Sequence, residues 1–148
     1  MREIVLDTET TGLDPKLGHR IVEIGAVELL NHIPTDNTYH CYINPEREID
    51  QGAFEVHGLS AKFLSNFATF GNIADEFNDF IKDDTLIIHN APFDISFLNA
   101  ELSAIGYKSI NTNRIIDTLP LARNKFPGAQ VNLNALCRKY NIDNSHRD

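Results

Sequence analysis

Cysteine is nearly absent: Cys41 and Cys137 are the only two in 148 residues. They sit in unrelated contexts among apolar neighbours, which excludes a disulfide framework and a thiolate metal site and reads as two reduced core thiols. Basic residues are also scarce, with 13 Lys and Arg against 21 Asp and Glu and a net charge of −8. Extended grip on a polyphosphate backbone comes from many Lys and Arg, so that class of binder is excluded and affinity should be weak without a cation or a partner. No apolar run approaches the ~18 residues of a membrane span, and the N-terminus lacks a signal-peptide profile. The sequence therefore predicts a soluble, intracellular protein with no membrane partner. It carries no internal repeat or low-complexity tract, and its length suits one domain that buries roughly 70% of the surface of its unfolded chain.

What is present is organised around residues 4–13. Ile4, Val5 and Leu6 make an apolar run too short for a helix, and Thr10-Thr11-Gly12 reads as a strand end and turn. Alternate residues of a strand share a face, so Asp7 and Glu9 point the same way, with alpha carbons about 6.7 Å apart. Carboxylates that close raise each other's pKa unless a cation lies between them, and a divalent metal is the natural candidate.

Further along, Leu13 to Arg20 reads as a loop. Arg20–Leu30 reads as a second strand, with a bulge or close backbone approach expected at Gly25. Asn31 to Asn37 is turn-rich, and Thr38–Ile43 reads as a third strand, completing an antiparallel meander. Glu46 to Ser65 reads as irregular. Ile73, Phe77, Phe80 and Ile81 mark an amphipathic helix, Thr85–His89 a short buried strand, and Phe93, Phe97, Leu98, Leu102 and Ile105 a second helix with Pro92 in its first turn and Gly106 at its end. Arg114–Asp117 is predicted as a fifth strand, and Thr118 as the cap of a helix running to about Phe126, broken by Pro127-Gly128. A last helix is predicted from near Asn132, with Leu133, Leu136, Cys137 and Tyr140. Asp117 reads as a capping residue rather than a metal ligand. The order predicts a mixed α/β fold.

Two motifs stand about 80 residues apart: Asp7-Thr8-Glu9-Thr10-Thr11-Gly12-Leu13, and His89-Asn90-Ala91-Pro92-Phe93-Asp94 at a strand, turn and helix start. Asp94 falls in a first helical turn, where free N–H groups and the helix dipole favour an anion. Together the motifs resemble the DEDD superfamily of 3′-to-5′ exonucleases, in its DEDDh branch, and within it the epsilon-type proofreading subunits of bacterial DNA polymerase III. The resemblance implies an RNase H-like five-stranded sheet, three strands antiparallel and then two parallel, flanked by helices. It implies hydrolysis of terminal phosphodiesters at single-stranded or frayed DNA 3′ ends, with Asp7, Glu9 and Asp94 holding two Mg²⁺ ions, for which Mn²⁺ can substitute. It puts Thr10, Leu13, Val56, His57, Asn90 and Phe93 against substrate, with Leu13 an apolar wedge, and makes the DNA polymerase III alpha subunit the partner. RNA 3′-end trimming and a non-catalytic polymerase-interaction module are the alternatives.

The same family completes its site with a further His, four residues, then Asp on a later helix. No such spacing occurs here; His146 and Asp148 are two apart. The expectation is a single exonuclease domain, residues 1–148, stopping before that third motif. It should be feeble alone, because a positioned general base contributes ~10²- to 10⁴-fold in rate.

Overall fold

A computed structural model describes residues 1–120. Its strands are β1 (Arg2–Thr10), β2 (Ile21–Leu30), β3 (Ile33–Tyr42), β4 (Thr85–Ile88) and β5 (Ile115–Asp117). Between them lie helices α1 (Gln51–His57), α2 (Ala61–Leu64), α3 (Phe70–Ile81) and α4 (Ala91–Ala104). The five strands form one sheet in the order β3-β2-β1-β4-β5. β1 pairs antiparallel with β2, and β2 with β3, whereas β1–β4 and β4–β5 are parallel. This is the expected RNase H-like arrangement.

Alternation along β1 decides which face is core. Ile4 and Leu6 point to one side, in register with Leu86 and Ile88 of β4, and all four are buried. Ile24 and Ala26 of β2 join them, and α3 and α4 close over this face with Phe70, Phe77, Phe97 and Leu98. Each fully buried Phe contributes about 1.5–3 kcal/mol, enough to fix both helices against the sheet. Cys41 is a free, half-buried thiol packed on this core, and burial pushes its pKa up. Among the described residues no helix is long and apolar enough to cross a membrane.

Four expectations from sequence are corrected. β3 begins at Ile33, not Thr38, because the turn needs only Asn31 and His32, whose φ values of 50° and 69° suit a tight hairpin. Pro34 and Asp36 disguise this start, and both are tolerated because β3 is an edge strand with one unpaired side. Glu46–Ser65 is not irregular: it holds α1 and α2, with Gly58 at φ 70° ending α1 and the Ser60 hydroxyl accepting from the Phe63 N–H to start α2. Gly25 carries no bulge: it lies in regular register between Asp7 and His40, and the sheet irregularities fall at Glu9/Thr10 and Val27/Leu29. Finally, the Thr118 hydroxyl meets His89 Nδ1 instead of capping the following turn, and Asp117, expected to cap it alongside Thr118, accepts from the Leu119 N–H at 3.0 Å. The helix to Phe126, the Pro127-Gly128 break, the helix from Asn132 with Cys137, and His146 and Asp148 lie outside the described residues.

Candidate active site

Because β1 and β4 are parallel, their carboxyl ends open at the same edge of the sheet, and there β1 presents its acidic residues while β4 leads into α4. A cavity of about 550 Å³ occupies this edge. Asp7, Glu9, Thr10, Leu13, Val56, His57, Asn90, Phe93 and Asp94 all line it, so the candidate metal-ligating and substrate-contacting residues share one cavity. Thr8, Gly12, Asp50, Gly52, Ala53 and His89 complete the wall.

The side chains are graded by depth. Asp94, in the first turn of α4, is only 4% exposed, Asp7 and Glu9 are half-buried, and at the mouth Leu13 is 86% and Val56 65% exposed. The register shift immediately after Glu9 ends the regular pairing with β2, and bulges commonly re-aim side chains beside active sites in this way. Thr8 points to the opposite face from its neighbours and donates its hydroxyl to Asp94 Oδ1 at 2.9 Å, tying the two motifs together. Strand alternation alone marks Thr8 as core; the sole hint of its task is a hydroxyl at a buried position.

α4 is held at several points. Asn90 precedes it in a left-handed conformation (φ 61°, ψ 56°), and its N–H donates to Asp117 Oδ1 at 2.9 Å. Asp117 therefore braces the second motif from β5 as well as capping the next turn, consistent with the structural role expected of it. Thr118 Oγ1 lies 3.0 Å from His89 Nδ1. Two turns beyond Asp94, on the same helix face, Glu101 is 5% exposed and accepts from Arg20 Nη2 at 2.6 Å, Arg20 Nε at 3.1 Å and the Ile21 N–H at 3.1 Å. These bonds to Glu101 push the Arg20 pKa further up, against the opposing effect of burial.

His57 is buried, and both ring nitrogens are engaged. Nδ1 accepts the Leu59 N–H at 3.0 Å, and Nε2 faces the Thr10 carbonyl at 2.8 Å, so Nε2 carries the proton. With Nδ1 occupied as an acceptor, the ring braces the end of β1 and is not placed to take a proton from substrate.

Carboxylate oxygens are hard donors suited to Mg²⁺ or Mn²⁺ rather than to thiophilic metals, so the chemistry of Asp7, Glu9 and Asp94 fits the expected ions. Among the described residues, no three acidic, imidazole or thiol groups stand close enough to form a ready-made metal cage. The three carboxylates share a cavity without forming a closed ligand set.

A family model described as Exonuclease matches residues 4–147. The chain belongs to the exonuclease family. Among curated relatives, the DNA polymerase III subunit epsilon of Rickettsia typhi is 54% identical over 150 residues, which cover 99% of this chain and 66% of that protein. Its namesake from Escherichia coli is 47% identical over 153 residues, covering 99% and 63%. This exonuclease domain thus spans slightly less than two thirds of the length of those relatives. Among solved structures, E. coli Exonuclease I in complex with a dA16 oligonucleotide superposes with a TM-score of 0.80 at 15% identity, over 96% of this chain and 36% of that one. The nuclease domain of 3′hExo, a DEDDh family member bound to rAMP, gives 0.74 at 21% identity, over 96% and 80%. At such identities these two establish the fold alone.

Proposed function

We propose that this exonuclease domain removes nucleoside 5′-monophosphates from the 3′ end of single-stranded or frayed DNA, as part of the proofreading subunit of a cytoplasmic bacterial replicase whose alpha subunit is its partner. The observation that carries the reading is the cavity itself: Asp7, Glu9 and Asp94, from two separate elements, all line it, and its mouth is formed by exposed Leu13 and Val56. The names of the relatives support the substrate and the partner.

In this reading Asp7, Glu9 and Asp94 hold two divalent ions, which when bound supply Lewis acidity at the scissile phosphate. Thr8 orients Asp94 through its hydrogen bond. Leu13 and Val56 meet the base faces and exclude water at the mouth, while Thr10, Asn90 and Phe93 flank the terminal nucleotide and His57 fixes the backbone carrying Thr10. The acidic cavity would repel phosphate without cations, which agrees with the net charge of −8.

The test follows a 5′-labelled single-stranded DNA oligonucleotide on a sequencing gel with Mg²⁺ or Mn²⁺. It uses this chain, a chain extended to the length of the relatives, and the Asp7→Ala form of each. Stepwise shortening from the 3′ end, abolished by Asp7→Ala, is expected at least in the extended protein. A folded extended protein that leaves DNA intact but trims the RNA of the same sequence would replace the DNA reading with the RNA one, and one that trims neither would remove the enzyme reading.

A further inference from the structure

The two apolar lips of the cavity come from different parts of the chain, yet they are built on one support. Thr11, where β1 leaves the sheet, has every polar group engaged. Its N–H donates to the Arg20 carbonyl at 2.8 Å, its carbonyl accepts the Asp50 N–H at 2.9 Å, and its hydroxyl accepts the Arg20 N–H at 3.0 Å. These bonds close the neck of the loop 12–19, which carries Leu13. Asp50 is the residue that leads into α1, which carries Val56.

His19 fills the interior of this junction. Its side chain is only 8% exposed, its Nδ1 lies 2.8 Å from the Thr11 hydroxyl, and its Nε2 lies 3.2 Å from Asp50 Oδ2. The ring is seated against Gly12 so closely that a Cβ there would stand 2.3 Å from Cε1 and 2.5 Å from both ring nitrogens, so no side chain fits at that position while the imidazole stays. The ring thus touches the residue before Leu13 on one side and the entry of α1 on the other. The carboxylates lie deep in the cavity, so a terminal phosphate bound among them leaves the lips to meet the nucleotides that follow.

We infer that His19 is a positioning residue: a strut that fixes the gap between Leu13 and Val56 and thereby sets the grip on the bases next to the strand end. This rests on the reading of the cavity as a site for a nucleic-acid 3′ end. A rigid gap lets two apolar side chains contact bases without first being ordered on binding, and removing the strut adds that ordering cost to every strand bound. The cost falls on substrates long enough to reach the lips. A single nucleotide held at the bottom escapes it.

The experiment compares binding of a labelled thymidine tetranucleotide and of thymidine 5′-monophosphate, both in Ca²⁺, to the wild-type chain and its variants. His19→Ala is expected to weaken tetranucleotide binding about tenfold, on the scale of one lost ordered apolar contact, with mononucleotide affinity kept within twofold. Gly12→Ala, which unseats the ring, should reproduce this pattern. Asp50→Ala changes a solvent-exposed side chain with no capping bond, so it retains the fold and tests the far end of the strut should His19→Ala fail to fold; several-fold weakening for the tetranucleotide alone is expected. Equal losses for both ligands in the folded variants would make His19 merely structural and overturn the inference, as would a tetranucleotide affinity unchanged in all of them. If wild-type protein binds neither ligand while Asp7→Asn also leaves cation binding unaltered, the reading of the cavity itself has failed, and the strut with it.

Discussion

Replacing Arg20 by Leu tests how the second motif is held against the first. Glu101 lies seven residues after Asp94, two helical turns or about 10 Å along α4, so its anchor sets the rotation of the helix that presents Asp94. In Arg20→Leu, Glu101 keeps the Ile21 N–H but loses a two-pronged guanidinium contact at a site 5% exposed. Stranding one member of a buried ion pair costs about 3–5 kcal/mol, and the lower end applies here because the Arg20 side chain is 33% exposed. A loss of about 3 kcal/mol is a large share of the ~5–15 kcal/mol that stabilises a domain. In urea, with a slope of about 1–3 kcal/mol/M, the midpoint should fall by roughly 1 to 3 M, and the melting temperature by about 6–12 °C. The double variant Arg20→Leu, Glu101→Gln should recover most of the loss, because it removes the stranded charge while an amide oxygen still accepts from the Ile21 N–H. A single variant within about 1 kcal/mol of wild type, or a double variant no better than the single, would refute the reasoning.

Two further outcomes follow from particular contacts. Thr8→Val keeps the shape of a buried residue and removes one hydrogen bond to a carboxylate, worth about 1.5–3 kcal/mol, so it should lower stability by that order and weaken Mn²⁺ binding in titration calorimetry; unchanged Mn²⁺ affinity would show that Thr8 does not orient Asp94. Hydrogen bonds from Arg2 and then Thr35 hold the Glu28 carboxyl down to about 2, against an ordinary value near 4.5. Its folded-state pKa is therefore depressed, and its contribution is fully present above pH 4.5 and lost as pH falls toward 2. Denaturation midpoints of Glu28→Gln should fall less steeply over that window than those of wild type, and parallel curves would count against the assignment.

The site was more legible in the sequence than the scaffold around it. Asp7 and Glu9 announce themselves because two charges interrupt an apolar strand with period two, and Asp94 because Pro92 marks a helix start just after a buried strand. Local rules single out these positions, and the family resemblance assigns their role. α1 escaped because seven residues containing Gly52 give no helical period to detect, although its last turn delivers Val56 and His57. The start of β3 escaped because polar residues and Pro34 are allowed on an edge. Thr8, His19 and Arg20 acquire their tasks only through partners 86, 8 and 81 residues away, and no local pattern encodes such meetings. The mixed α/β character, by contrast, followed from three strands joined by short loops and then alternating helices and strands.

The central claim is that Asp7, Glu9 and Asp94 form one cation site, although they are not gathered into a closed cage. Calorimetric titration of Mn²⁺ into the wild-type chain and its Asp7→Asn and Asp94→Asn variants tests it most directly, independently of turnover. The account predicts saturable binding in the wild type and a loss of at least tenfold in affinity in each variant, with the fold retained by circular dichroism. Binding of equal strength in all three, or none in the wild type, would contradict it.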